Sequence, residues 1–191
     1  RKTTNAFALP LKGILKLKAK QIHSIGLWES LALAVAVARD LNINNKIISK
    51  ALPNIVLLGR LQFVQKGEGR LRKLLYHKED LLLDGCHSIV SLLNHIKFLR
   101  GIKKPKYAIW SLMRNRQPEK WGEHLKCFKK IIAIKIPNEP NACSSEQLKK
   151  IANRNGIECD IAPNIQSAIK KISTNEAKVI SIIGSLYTIS A

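Results

Sequence analysis

The stretch "LLLDGCHSIV" (residues 81–90) decides how the second half of the chain is interpreted. An apolar run ends at Asp84, Gly85 permits a tight turn, and a second apolar run begins at Ile89. The pattern predicts a buried strand over 81–84 and a helix over 88–101. It also raises the question of whether Asp84 and His87 are part of a binding site.

Short apolar segments alternate with amphipathic ones from residue 81 onward. The predicted strands are 81–84, 107–112, 130–136, 158–162 and 178–184, and the predicted helices are 88–101, 118–128, 144–156 and 164–172. Ser144 and Gln147 form a capping box, and Gly156 fits a helix end. This alternation predicts an α/β fold with a mostly parallel, doubly wound sheet flanked by helices.

The segment before this alternation is predicted to be rich in helices. "LWESLALAVAVARDL" (27–41) has an apolar face and ends before Asn42, and Asn44 or Asn45 would cap a short helix over 44–52. "GRLQFVQ" (59–65) alternates as a strand does.

The composition limits the class of protein. The chain has a net charge of +20, 46% hydrophobic and 24% charged residues, which is typical of a soluble globular protein. No apolar run reaches the roughly 18–20 residues that span a membrane. A basic surface favours polyanions, so a basic α/β module that binds nucleic acid or nucleotide without catalysis is an alternative. The charges are spread along the chain and aromatic residues are few, which argues against a nucleic-acid partner.

The cysteine pattern, together with the absence of an apparent signal peptide in these residues, leads us to expect a cytoplasmic protein. Cys86, Cys127, Cys143 and Cys159 form no CxxC pair, so no metal site is predicted and the thiols are expected to be reduced and buried. His77, His95 and His124 are expected to be exposed and receive no role. The single methionine is Met113, which suggests a fragment, a processed product or an unusual start. No GxxxxGK[ST] phosphate loop is present.

Three groups of residues could form a binding site, and each also has a purely structural explanation. Asp84 and His87 follow a strand at the edge where α/β folds bind ligands, but Asp84 could cap the next helix and His87 could be solvated. Gly184 and Ser185 could present backbone N–H groups to an anion, as could any strand-to-helix turn. Arg60 lies at the join of the two segments and could bind a phosphate or be an ordinary surface arginine.

Taken in order, the motifs resemble those of the folylpolyglutamate synthase/dihydrofolate synthase family, which is related to the Mur ligases. "GRLQ" (59–62), "LLLDGCHS" (81–88), "IPNEPNACSSEQLKKIANRNGI" (136–157) and "IIGSLY" (182–187) follow the order of the C-terminal part of that family. "KQIHSIG" (20–26) resembles the end of the family's "GxHQxxNA" element. The resemblance covers nearly all of the chain and rests on order and spacing.

The resemblance implies a fold, an activity and site residues. Residues 1–57 would be a helical remnant of a P-loop ATPase domain, and 58–191 a smaller Rossmann-type domain. ATP with Mg²⁺ would activate a folate or dihydropteroate carboxylate for attack by glutamate. Arg60 would reach the phosphates, Asp84 the ribose or base side of the nucleotide, and His87 would lie beside them as a catalytic candidate. Ser185 would support the matching turn.

Several positions depart from the family pattern. Ser88 and Ile89 replace Asn-Pro, Ser111 replaces a glycine, and Leu58 replaces the proline before Gly59. "SLMRNRQ" (111–117) has Arg-Gln where the family has Lys-Asp, and Lys20 and Ser24 replace a histidine and an asparagine. With the P-loop domain absent from these 191 residues, the chain is expected to be inactive alone, either truncated or complemented by a separately encoded N-terminal half.

Overall fold

The computed structural model describes residues 25–67 and 69–190. They belong to two compact units, of which the first ends at Leu58 and the second begins at Gly59. Lys20 and Ser24, two of the departures from the family pattern, lie outside the described residues.

The first unit is helical. Helix α1 spans Ile25–Asp40, α2 spans Asn45–Ala51, and a short 3-10 turn covers Leu52–Asn54. The Asn44 side chain caps α2 by accepting a hydrogen bond from the backbone N–H of Lys46, as the sequence predicts. Leu31 and Val35 of α1 pack against Ile48 and Leu52 to form a small separate core.

The second unit is built on a six-stranded sheet. The strands are β1 (Gln62–Val64), β2 (Glu79–Asp84), β3 (Lys106–Trp110), β4 (Lys130–Ala133), β5 (Glu158–Ile161) and β6 (Lys178–Ile183). Their order across the sheet is β1-β2-β6-β3-β4-β5. Strand β1 is antiparallel to β2, and the other pairs are parallel. The mostly parallel α/β sheet predicted from the sequence is therefore confirmed.

Four helices connect the parallel strands: α3 (Ile89–Arg100), α4 (Pro118–Gly122), α5 (Ser145–Arg154) and α6 (Ile165–Ile172). A further short helix, α7 (Leu186–Ser190), follows β6. Capping boxes at Ser88 and Ser144 satisfy the first free N–H groups of α3 and α5. The second of these boxes, with Gln147, is the one that the sequence predicts, and Gly156 follows the end of α5 at a positive φ of 75°.

The main core lies between the sheet and α6. Strands β2, β3, β4 and β6 contribute branched aliphatic side chains that are fully buried, among them Leu81, Ile109, Ile132 and Ile180. Ala168 and Ile169 of α6 complete this layer. The central strand β6 is buried at all six positions, as expected for a parallel strand covered on both faces.

Several predicted elements are shorter in the structure. The helix predicted over 118–128 is wrong as a single element, because α4 ends at Gly122 and a 3-10 turn over Leu125–Cys127 follows. The strand predicted over 59–65 is limited to Gln62–Val64, and those predicted over 107–112 and 130–136 end at Trp110 and Ala133. The chain beyond these strand ends bends away to form loops at the carboxyl edge of the sheet.

Candidate functional site

The carboxyl ends of three neighbouring strands bring the predicted site residues to one edge of the sheet. Asp84 at the end of β2 and Trp110 at the end of β3 are both in register with Ile183 of β6. The segments "LLLDGCH" and "IIGSLY" are almost a hundred residues apart in sequence but lie side by side here. Such an edge is where α/β folds bind their ligands.

Arg60 and His87 meet at the backbone of Gly85. The Nη1 atom of Arg60 donates to the Gly85 carbonyl at 3.2 Å, and Nδ1 of His87 lies 3.1 Å from the same oxygen. The N–H of Gly85 donates to the carbonyl of Gly59 at 2.7 Å, which joins the two loops. Because a carbonyl only accepts, His87 carries its proton on Nδ1, and Nε2 is left to bind or exchange a proton with a ligand.

The loop that holds Arg60 has an unusual backbone. Gly59 has φ 65° and Leu61 has φ 43°, so both residues are in the left-handed region, and the Leu61 side chain is buried. A left-handed leucine costs free energy, so its packing must hold it in place. The backbone N–H of Gly59 donates to the side chain of Gln62 at 2.8 Å, which further fixes the turn.

Asp84 is engaged inside the protein rather than at a helix cap. Its Oδ2 accepts a hydrogen bond from Nδ1 of His95 at 2.8 Å, and Nε2 of His95 lies 3.2 Å from the Ser181 hydroxyl. All three side chains are buried. The alternative in which Asp84 caps the next helix is wrong, since Ser88 caps α3.

The expectation that His95 is exposed is also wrong. The residue lies on the inner face of α3, fully buried beside Leu92, Ile96 and Leu99. Spacing along α3 places His95 in the same helical stripe as these three residues, and that stripe was the signal for burial. The bond to Ser181, 86 residues away, could not be predicted from the local sequence.

The Gly184–Ser185 turn is shaped by packing and capping. Gly184 has φ 108°, and a Cβ there would overlap the carbonyl oxygen of Ser111. The Ser185 hydroxyl accepts a hydrogen bond from the N–H of Tyr187 at 3.2 Å at the start of α7. The Ser111 hydroxyl, in turn, lies 2.5 Å from that of Thr188. The Ser185 hydroxyl thus stabilises the turn at the start of α7.

The thiol of Cys86 lies buried between the two loops. Burial raises its pKa well above the usual range, and the nearby Asp84 carboxylate raises it further. The backbone of Gly184 and the guanidinium of Arg60 oppose this shift. A thiol held in its neutral form is a poor nucleophile, so Cys86 is a packing residue of the site.

The described residues do not fit a magnesium ion held by this chain alone. Within residues 25–67 and 69–190, no group of three or more His, Cys, Asp and Glu side chains is arranged to hold a metal ion. The Asp84 carboxylate already accepts a hydrogen bond from His95, and a hard cation such as Mg²⁺ needs several oxygen ligands.

Within residues 25–67 and 69–190, no helix is long and apolar enough to cross a bilayer.

Comparison with solved structures shows which known fold this is. Folylpolyglutamate synthase from Mycobacterium tuberculosis, complexed with ADP and AMPPCP, superposes with a TM-score of 0.69 at 15% identity. The chain has the fold of a part of folylpolyglutamate synthase. The enzyme from Thermotoga maritima superposes with a TM-score of 0.63 at 19% identity. The bifunctional folylpolyglutamate synthase/dihydrofolate synthase from Yersinia pestis, complexed with AMPPNP and a manganese ion, superposes with a TM-score of 0.66 at 17% identity.

The similarity is extensive for this chain and partial for the solved enzymes. The superposed part is 87% of this chain and 39% of the Mycobacterium tuberculosis enzyme. It is 86% of this chain and 37% of the Thermotoga maritima enzyme, and 88% of this chain and 38% of the Yersinia pestis enzyme. No family model and no curated protein matches the sequence. The fold therefore agrees with the resemblance in the motifs, and the activity of the solved enzymes does not transfer with it.

Proposed function

We propose that this chain is the C-terminal part of a ligase of the folylpolyglutamate synthase/dihydrofolate synthase type. In the proposed reaction, a carboxylate of a folate or dihydropteroate attacks the γ-phosphate of ATP, and ADP leaves. The amine of glutamate then attacks the acyl carbon, phosphate leaves, and an amide forms. Residues 1–57 would end the ATPase domain and 58–191 would form the smaller Rossmann-type domain.

The observation that carries this proposal is the meeting of Arg60 and His87 at the carboxyl edge of this particular fold. Both side chains contact the Gly85 carbonyl, at 3.2 Å and 3.1 Å. A guanidinium is a strong partner for phosphate oxygens, and the imidazole of His87 lies beside this one. A guanidinium beside an imidazole suits the negative charge of a transferring phosphoryl group.

Asp84 and Ser185 have secondary roles in the proposal. Asp84 uses one carboxylate oxygen for His95, so a nucleotide hydroxyl would bind the remaining acceptor positions of the carboxylate. Ser185 would fix the turn that borders the nucleotide. The magnesium ligands would come from the ATPase domain, because the described residues do not supply them.

The proposal requires a P-loop domain from elsewhere, either in a longer protein or in a second chain. The 191 residues contain no GxxxxGK[ST] pattern. Three apolar residues spaced four apart, Leu33, Val37 and Leu41, form a stripe along α1 and just beyond its end. Their side chains are 65%, 50% and 68% exposed, which is compatible with contact to such a partner. Apolar side chains gathered on one surface often mark an interface. Alone, the chain would be inactive.

The test is reconstitution. Residues 1–191 are produced with and without the P-loop domain that the same genome encodes, and ATP-dependent addition of glutamate to tetrahydrofolate and to dihydropteroate is followed by mass spectrometry. We expect activity only with both parts present, and a loss of about 100-fold for Arg60→Ala. Arg100→Ala, at the exposed end of α3, is the matched control. Absence of product from the combined parts, or equal activity of the two variants, would refute the proposal.

A further inference from the structure

A concave surface lies between α4 and α5, and neither Arg60 nor His87 lines it. Its volume is about 300 Å³, and Pro118 and Ile151 line it together with six polar or charged side chains. These are Arg114, Glu119, Cys143, Gln147, Lys150 and Arg154. Three cations thus surround the cavity with one carboxylate, and we call it the α4–α5 cavity.

The backbone around the α4–α5 cavity is firmly connected. The N–H of Arg114 donates to the carbonyl of Asn141 at 2.9 Å, and the N–H of Cys143 donates to that of Leu112 at 2.8 Å. The Nε atom of Arg114 donates to the Ala142 carbonyl at 3.2 Å. Within residues 25–67 and 69–190 no hydrogen bond or ion pair engages its two terminal nitrogens, so the guanidinium is held in place with donors to spare.

The two helices approach closely enough to give the cavity a fixed wall. Gly122 ends α4 without a side chain, and a Cβ at this position would overlap Asn155 and Ile151 on the α5 side. The amide of Asn155 donates to the Ile151 carbonyl at 2.9 Å and is therefore oriented. The cavity is thus built from elements whose separation is set by packing.

The cations of α5 that face the cavity lack acidic partners. Lys150 and Arg154 are one turn apart on one face of the helix, a spacing at which like charges repel and weaken the helix slightly. Their neighbour Lys149 faces elsewhere and pairs with Asp160 at 3.7 Å. Among the described residues, neither Lys150, Arg154 nor Arg114 has an ion-pair partner within 4.0 Å, although Glu119 lines the same cavity.

We propose that the α4–α5 cavity binds a small anion that carries a phosphate monoester or polyphosphate group. A phosphate monoester has about two negative charges at pH 7, whereas a single carboxylate has one, so phosphate matches three cations that line one cavity better. The planar guanidinium of Arg114 can bind two of its oxygens at once. Glu119 would accept a hydrogen bond from a hydroxyl or amine of the ligand. This inference does not depend on the proposed ligase activity.

The test measures tripolyphosphate binding to the full chain by calorimetry at constant ionic strength. The variant Lys150→Gln/Arg154→Gln keeps good helix formers and removes two charges from the cavity. The control Lys97→Gln/Lys170→Gln removes two exposed charges from α3 and α6. We expect the dissociation constant to rise about tenfold in the first variant and by less than about threefold in the control. Equal weakening in both would mean that only the +20 net charge attracts the anion, and would overturn the proposal.

Two further measurements locate the ligand and identify its source. Amide NMR shifts on adding tripolyphosphate are expected in residues 147–154, in the unchanged protein and in Arg60→Gln alike. Shifts confined to 59–60 and 84–87 would overturn the inference. The same titration with a short oligoribonucleotide separates small anions from polymers, since binding of the oligomer without binding of tripolyphosphate would reject the small-anion proposal. Failure of the ligase assay leaves all of these results unaffected.

Discussion

The ring of His95 bridges the carboxylate of Asp84 on β2 and the hydroxyl of Ser181 on β6. Replacing this histidine with leucine would leave a buried carboxylate without its donor. Because an uncompensated buried charge is costly, we expect His95→Leu to lower the free energy of unfolding by about 3 kcal/mol. Urea unfolding, with the midpoint and slope fitted separately, measures the change.

A double-mutant cycle separates this bond from general packing. Asp84→Leu/His95→Leu should be less destabilising than the sum of the two single changes, because neither partner is then left alone. His124→Leu alters a half-buried histidine elsewhere and should change stability by less than about 0.5 kcal/mol. Additive losses for Asp84 and His95 would show that their hydrogen bond contributes little.

The thiols offer a second prediction at single residues. Burial raises the pKa of Cys159 to about 11, and it also raises the pKa values of Cys86, Cys127 and Cys143. Since the thiolate is the reactive form, alkylation of the folded protein at about pH 7.5 should be slow. Cys127, the half-buried one, should react before Cys86. Peptide mapping after timed treatment with iodoacetamide checks the order, and modification of Cys86 first would contradict it.

At the scale of elements, a salt bridge joins the ends of β4 and β5. The Nζ atom of Lys130 lies 2.9 Å from Asp160 and 2.7 Å from Glu158. The hydrogen bond from Lys130 lowers the pKa of Asp160, and the bonds to Asp160 and Glu158 raise that of Lys130. Because all three side chains are partly exposed, the bridge is expected to contribute only about 0.5 kcal/mol.

The direction of the shift fixes the pH dependence of this contribution. The pKa of Asp160 is lower in the folded than in the unfolded chain, so its stabilisation is present above the unfolded value of about 4 and is lost as the pH falls through the folded value. Asp160→Asn should therefore unfold more easily than the unchanged protein at pH 7, and the difference should shrink below about pH 4. Glu123→Gln, an exposed change in a loop, should show no such trend. A difference that grows on acidification would contradict the assignment.

Elements with strong local signals could be predicted from the sequence. The Ser144–Gln147 capping box, the glycine after α5 and the Asn44 cap are all formed by neighbours in the chain. The close approach of Gly122 to Asn155 could not be predicted, because the two residues belong to different helical segments. The bond between His95 and Ser181 likewise depends on the placement of β6, which no local pattern specifies.

At the scale of the whole molecule, each unit has its own core. Leu31, Val35, Ile48 and Leu52 form the first, and the sheet with α6 forms the second. We therefore expect residues 59–191 to fold when produced alone, with a single cooperative thermal transition. Circular dichroism and amide NMR dispersion would check this, with residues 1–191 measured under the same conditions as the control. A chain that lacks dispersed signals would show that the sheet requires the helical unit.

The order of the strands also determines when the sheet can be completed. Strand β6 is the last of the described strands in the chain, but it lies between β2 and β3 at the centre of the sheet. During synthesis, β2 and β3 leave the ribosome without the strand that joins them, each with an unpaired edge open to other chains. The core can close only after residues 178–183 have emerged, and until then the newly made chain depends on protection from aggregation.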